Sequence, residues 1–266
     1  MCATCGCGDD GAVITLAGHD HDNSHHHDHP HHHHHHEDVS ATETISLEQK
    51  VLAKNDELAG ANRKWLAERN IVALNVTSSP GAGKTTLLER TIRDLGTRRS
   101  VSVIEGDQET LLDAKRIRAT GCRVVQVNTG AGCHLDAAMT HRALETLQPE
   151  PGSLLFIENV GNLVCPALFD LGEQTKIVVI SVTEGADKPL KYPHMFAAAG
   201  LVVINKIDLL PYVEFDLDVC AGHARSVNPN IEVLSLSATT GHGTGAWYEW
   251  IDAQAKGLAE LAIDKS

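Results

Sequence analysis

The chain has 266 residues, longer than the usual single domain without implying two. Hydrophobic residues make up 42%, enough for a sizeable core, yet no apolar run approaches the ~18 residues of a membrane span. A formal net charge of −13 argues against a nucleic-acid binder, which would normally show a basic face, and suits a protein that binds cations.

Charge is uneven along the chain. Residues 1–44 hold no Lys or Arg, eight acids and twelve of the seventeen histidines. Such a segment has little apolar surface to offset the entropy of ordering, so it is expected to be a disordered metal-binding arm. Within it Cys2, Cys5 and Cys7 bring three thiols into a six-residue stretch, and Gly6 lets the chain fold back. Thiolates suit a borderline-soft ion such as Ni²⁺ or Zn²⁺ and not Mg²⁺; a redox dithiol is the rival reading. The histidines of residues 19–36 add a chelating reservoir whose affinity falls as the imidazoles protonate. The seven cysteines are odd in number, and no basic stretch followed by an apolar core opens the chain. The cysteines are therefore read as reduced thiols of a cytoplasmic protein.

A helix is expected over residues 46–68, capped by Ser46, with Leu47, Val51, Leu52, Leu58, Trp65 and Leu66 as a rough apolar stripe. From Ile71 onward, Val- and Ile-rich runs alternate with amphipathic stretches. The pattern predicts strands at 71–77, 101–105, 123–127, 154–157, 177–182, 201–205 and 231–236. Helices are predicted at 85–95, 110–119, 135–147, 189–199, 213–227 and 244–262. Near-continuous apolar strands joined by helices specify an α/β fold with a mostly parallel, roughly seven-stranded sheet flanked by helices. Residues 45–266 are expected to form that one domain.

Between the first strand and the next helix lies Ser78-Ser79-Pro80-Gly81-Ala82-Gly83-Lys84-Thr85-Thr86. Gly81, Ala82 and Gly83 allow backbone N–H groups to curl round phosphate oxygens, and the helix N-terminus adds partial positive charge. Lys84 would reach the β and γ phosphates, and Thr85 would ligate Mg²⁺. The usual loop opens with Gly, and Ser78 stands there instead. The domain is thus read as a P-loop NTPase.

Asn205-Lys206-Ile207-Asp208 follows a buried strand about 120 residues later. The Asp208 carboxylate can accept from guanine N1–H and the exocyclic amine; adenine offers no donors there, and such a site can reject it by ~10⁴-fold. Asn205 would orient the loop and the Lys206 stem would pack over the ring. Ser237-Ala238 could offer a backbone N–H to guanine O6. GTP is therefore expected over ATP. Two strand ends supply further acids, Gly106-Asp107 after the strand 101–105 and Glu158-Asn159-Val160-Gly161 after the strand 154–157. Asp107 and Glu158 are candidates for Mg²⁺ and for water activation, in an order that stays open. The Gly161 N–H would meet the γ-phosphate. No arginine finger stands out, so slow intrinsic hydrolysis is expected. Cys133-His134, after a glycine-rich loop, and Cys165, four residues beyond Gly161, form a second thiolate–imidazole constellation.

Cys-x-x-Cys-Gly-Cys, the His-rich tract, the phosphate loop, Glu-Gly-Asp-Gln at 105–108, Gly-Ala-Gly-Cys-His at 130–134, Glu-Asn-Val-Gly-Asn-Leu-Val-Cys-Pro at 158–166 and Asn-Lys-Ile-Asp together resemble the hydrogenase nickel-incorporation GTPases, the HypB family. Ser78 and Glu158 are usual there. The resemblance implies GTP-dependent nickel insertion during [NiFe]-hydrogenase maturation. It implies a GTP-promoted homodimer whose Cys133, His134 and Cys165 hold metal at the subunit interface. Its implied partners are a small zinc-containing nickel chaperone (HypA) and the hydrogenase large subunit. Urease-type nickel GTPases, which carry Cys-Pro-His, are one alternative; a nickel storage protein with a vestigial P-loop is another.

Overall fold

Apolar, β-branched runs dictate the sheet, and the structure, a computed structural model, describes residues 13–16, 41–107, 112–130 and 132–263. Cys2, Cys5 and Cys7, the histidine tract and residues 108–111 lie outside the described residues. The strands are β1 (Val13–Leu16), β2 (Val72–Ser78), β3 (Val101–Asp107), β4 (Arg123–Asn128), β5 (Leu154–Glu158), β6 (Thr175–Ser181), β7 (Leu201–Asn205) and β8 (Glu232–Ser235). They form one sheet in the order β1-β4-β3-β5-β2-β6-β7-β8. The seven strands from β2 to β8 are all parallel, as the sequence pattern requires of strands buried on both faces.

The eighth strand is a departure. Val13–Leu16 pairs antiparallel with β4, whereas residues 1–44 were expected to lack secondary structure. The short Val-Ile-Thr-Leu run has high β propensity, but the polar composition around it hides that signal.

The helices are α1 (Ala41–Ala67), α2 (Lys84–Leu95), α3 (Leu112–Arg118), α4 (Ala137–Leu147), α5 (Lys188–Lys191), α6 (Pro193–Ala198), α7 (Leu217–Val227) and α8 (Thr244–Ile263). Polar caps move the predicted starts. Asp136 caps α4 by accepting from Met139 N at 2.7 Å, and Asp216 caps α7 by accepting from Asp218 and Val219 N–H groups. The single helix expected at 189–199 is broken at Tyr192, because Pro193 disfavours helical geometry in the residue before it. One face of the sheet packs Leu74, Leu88, Phe156 and Trp247 with α2 and α8. The other packs Ile104, Leu135, Leu144 and Leu155 beneath α1 and α4. Among the described residues no helix is long and apolar enough to cross a membrane.

The buried face of α1 differs from the expected stripe. Val51 is 48% exposed, while Asn55, Ala59, Asn62 and Leu66 are buried at helical spacing. Asn62 donates to the carbonyls of Ala137 (2.9 Å) and Leu171 (3.0 Å), and its Oδ1 meets His141 Nδ1 at 2.9 Å. Asn55 accepts from Ala137 N (2.9 Å) and donates to Asp170 O (2.8 Å). Two amides thus dock the helix together with Leu66 and Trp65 of the expected stripe.

Because parallel strands end at the same edge, Ser78, Glu105, Asp107, Glu158 and Asn205 converge there, where α/β sheets bind ligands. Asn62→Ala should strand at least two buried carbonyls and lower unfolding stability by on the order of 3 kcal/mol in urea titrations. Replacing Arg63, whose ion pair with Asp170 is exposed, should cost under ~1 kcal/mol.

Candidate nucleotide and metal sites

β2 ends at Ser78 and α2 begins at Lys84, so the glycine-rich segment is the turn between them. Gly83 has φ 97°, and a Cβ there would come within 2.5 Å of Asn205 Nδ2. Only glycine meets both demands. Ser78, in the place of the usual glycine, accepts from Lys84 Nζ at 2.9 Å and donates to the Ser79 carbonyl at 2.6 Å. Its hydroxyl therefore gives the lysine a fixed resting partner. Thr86 Oγ1 accepts from Arg116, which also bonds Glu89 at 2.7 Å and so ties α3 to the phosphate-loop helix.

Thr85 Oγ1 donates to Glu158 Oε1 at 2.7 Å. Register puts Glu105 directly beside Glu158, and both are buried. The Oε2 atom of each has no hydrogen-bond partner. Burial first, then the charges of Glu158, Asp107 and Asp113, push the Glu105 carboxyl up to about 9, against the pull of Lys84. Burial also raises Glu158, with Lys84 and Thr85 opposing. Buried carboxylate oxygens without partners, next to a threonine hydroxyl, fit a hard cation such as Mg²⁺. Asp107 ends β3 inside the strand, and its carbonyl accepts from Thr129 N at 3.0 Å. Glu105 was not singled out as a site residue in the sequence; its position two residues before Asp107 on the same strand face was the available signal.

At the base end, buried Asn205 is a hub. It donates to Ala82 O (2.9 Å) and accepts from Lys206 N (2.8 Å) and Ala238 N (3.0 Å). Lys206 Nζ reaches the Gly81 carbonyl at 2.7 Å, spanning from the base loop to the phosphate loop. Asp208 is exposed on the 3₁₀ turn Ile207–Tyr212. The N–H groups of Ser237 and Ala238 are engaged, by His242 O and Asn205 Oδ1. A contact from Ala238 to guanine O6 therefore requires exchange of the Asn205 bond. Arg90 clamps the same loop through Ala238 O (2.6 Å) and Thr239 O (2.8 Å).

The thiol–imidazole constellation closes in space. Ligand atoms of Cys133, His134 and Cys165 all lie within 4.8 Å of one another, with the two sulfurs 2.9 Å apart. Burial lowers the His134 pKa, favouring the neutral imidazole that binds metals. Its ring sits 4.0 Å from that of Phe169. By contrast, burial pushes the Cys122 thiol up to about 12 and Cys220 to about 11, as suits structural cysteines.

The two sites are neighbours. Asn159, the residue after Glu158, accepts from Leu135 N (3.1 Å), the residue after His134. Asn162 donates to Cys133 O at 3.2 Å. A Cβ on Gly161 would lie 3.3 Å from Pro80 Cα, so this segment also rests on the phosphate loop. Lys188 reaches the same loop, donating to Ser79 Oγ at 3.0 Å while paired with Glu184 at 2.8 Å.

Fold and phosphate loop define a P-loop nucleotide-binding protein. Residues 72–235 match the profile described as "CobW/HypB/UreG, nucleotide-binding domain", and the chain belongs to that family. It is 58% identical over 217 residues to the hydrogenase maturation factor HypB of Rhizobium leguminosarum bv. viciae, covering 82% of this chain and 73% of that one. It is 55% identical over 216 residues to HypB of Escherichia coli (strain K12), covering 81% and 74%. Among solved structures, HypB from Archaeoglobus fulgidus superposes with a TM-score of 0.71 at 38% identity, over 76% of this chain and 99% of that one. HypB from Helicobacter pylori in complex with nickel gives 0.72 at 34% identity, over 77% and 96%.

A carboxyl whose pKa is raised on folding keeps its proton in the native state and loses it in the unfolded one. Without cations or nucleotide, Glu105 should therefore lower stability as pH rises from its unfolded value of 4.5 towards about 9, by up to roughly 1.4 kcal/mol per pH unit. Glu105→Gln should flatten that decline, as read from chemical denaturation at pH 5, 6, 7 and 8.

Proposed function

We propose that this chain is a GTP-hydrolysing nickel metallochaperone that licenses nickel insertion into [NiFe]-hydrogenase. The observation that carries the reading is the adjacency of Glu158 and Asn159. One bonds the phosphate-loop threonine and the other holds the loop that bears Cys133 and His134. Two further facts support it: family membership, and the nickel complex of a HypB with 34% identity.

In this reading Lys84 and the N–H groups of residues 81–86 hold the phosphates, and Asp208 selects guanine through its two donors. Thr85, Glu158 and Asp107 would hold Mg²⁺, which neutralises charge on the phosphate oxygens. Lys84 leaves Ser78 for the γ-phosphate, and the Gly161 N–H follows that phosphate as the segment rests on Pro80. Asn159 then shifts the Leu135 peptide, which changes the grip of Cys133, His134 and Cys165 on their nickel cargo. Zn²⁺ suits the same donors. Three ligands leave a coordination position for a second subunit or an exchanging partner. Exposed Val164 (52%) and Leu168 (56%) on either side of Cys165 give that face an apolar rim for a GTP-promoted homodimer. Cys2, Cys5 and Cys7 would form a separate nickel site on a cytoplasmic arm whose thiols stay reduced. HypA and the hydrogenase large subunit are the proposed donor and recipient.

Nickel titration with Cys2, Cys5 and Cys7 changed to serine tests the coupling. Affinity should differ at least ~5-fold between GDP and a non-hydrolysable GTP analogue; equal affinities sink the reading. Lys84→Ala should lower hydrolysis by about 10²-fold or more while nickel binding by the N-terminal cysteines persists.

A further inference from the structure

Between the nucleotide and metal sites lies a buried polar chain that neither site accounts for. Asn159 Nδ2 donates to Asn75 Oδ1 (3.4 Å), and Asn75 Nδ2 donates to Glu173 Oε1 (3.0 Å). Glu173 Oε1 pairs with Lys176 Nζ at 3.8 Å, with both side chains 6% exposed. Its Oε2 accepts from Leu171 N at 2.7 Å. Lys176 Nζ then donates to Pro166 O (2.7 Å), in the turn Cys165–Ala167, and to Phe169 O (3.1 Å) just beyond it. Two of the three ammonium donors are thereby hydrogen-bonded, and Glu173 faces the charge at ion-pair distance.

The chain has two outlets. From Asn159, one bond goes directly to Leu135 and so to the Cys133-His134 loop. The other path runs through the interior to the Cys165 turn, and Phe169, two residues past that turn, packs its ring against His134. Both ligand loops thus hang from the residue next to Glu158. A buried lysine on a turn of carbonyls is costly to place, and burial lowers its pKa while Glu173 opposes that shift. A neutral donor would satisfy the same carbonyls. What the ion pair adds is stiffness: breaking one link strands a buried charge, so the members move together or not at all.

Resting on the coupling reading above, we infer that Asn75, Glu173 and Lys176 form a positioning relay, with Lys176 setting the place of Cys165 relative to Cys133 according to the state of Glu158. The relay touches neither nucleotide nor metal.

The test uses full-length protein with Cys2, Cys5 and Cys7 replaced by serine, titrated with Co²⁺ and followed by its d–d and thiolate charge-transfer absorption. Each titration is run with GDP and with a non-hydrolysable GTP analogue. Two variants interrupt the relay. Glu173→Gln with Lys176→Met removes both charges together, so no charge is stranded. Asn75→Ser cuts the link to Asn159, leaves both ligand loops untouched, and decides the matter where the double variant fails to fold. The parent should show a nucleotide-dependent affinity ratio of at least ~5-fold. In the variants that ratio should fall at least about twofold below the parent's, the direct Asn159–Leu135 bond sustaining the remainder, with thiolate bands retained and GTP hydrolysis within about twofold of the parent. By reciprocity, the effect of Co²⁺ on nucleotide affinity should shrink by the same factor. A ratio that persists in both variants overturns the relay alone. Equal affinities in the parent overturn the coupling reading and the relay with it.

Discussion

The hydrogen bond from Thr85 to Glu158 is the constraint on which the geometry of this sheet edge depends. It fixes the end of β5 against the start of α2 and puts a buried carboxylate beside the phosphate loop. A second carboxylate, Glu105, lies next to it by strand register. Burial disfavours ionisation of both acids, the charge of Glu158 adds to that at Glu105, and Lys84 offsets it only in part. The arrangement favours any state that places a proton or a hard cation between them. In the proposed reading, nucleotide affinity, divalent-ion affinity and local stability are linked at one spot, because all three would act on the same two charges.

Much of this architecture was legible because its signals are local. Val- and Ile-rich runs named the seven parallel strands, and the Gly-Lys-Thr turn and Asn-Lys-Ile-Asp sat at strand ends where such loops belong. What escaped was whatever depends on partners far along the chain. The inner face of α1 is half amide, so a search for apolar spacing chose Val51 and missed Asn55 and Asn62. Cys133 and Cys165 stand 32 residues apart; residue type and the family resemblance grouped them with His134, and the structure closes that group because β4, β3 and β5 lie side by side. Glu105 reads as one strand residue among several until its neighbour across the ladder proves to be Glu158. Ser78, a departure from the usual loop, became intelligible once its hydroxyl was seen to receive Lys84.

The polar interior between the sites is not what stability alone would select. Asn75 occupies the central strand β2, fully buried, where an aliphatic side chain would pack without desolvating an amide. Asn159, Glu173 and Lys176 incur the same cost, and replacing buried ion pairs by well-packed apolar groups is often neutral or stabilising. Apolar contacts, however, are tolerant of small displacements, whereas a chain of hydrogen bonds has discrete partners. Moving Asn159 by a fraction of a bond length forces Asn75 to follow or to lose its donor. An oily interior would absorb such a shift within its packing tolerance and pass little of it to Pro166.

The same reasoning explains why the ligand loops are held from behind by α1. Asn55 grips the first turn of α4, three residues after His134, and also the Asp170 carbonyl beyond Cys165. Asn62 repeats the span at Ala137 and Leu171. A site that is to respond to a sub-ångström displacement at Glu158 needs one side fixed, since loops free on both sides would dissipate the motion. In the proposed coupling α1 is the anchor and Asn159 the moving contact, and the distance that changes is the one between Cys133 and Cys165. That distance sets whether two thiolates can share one ion, so a displacement too small to alter the fold is large enough to alter coordination.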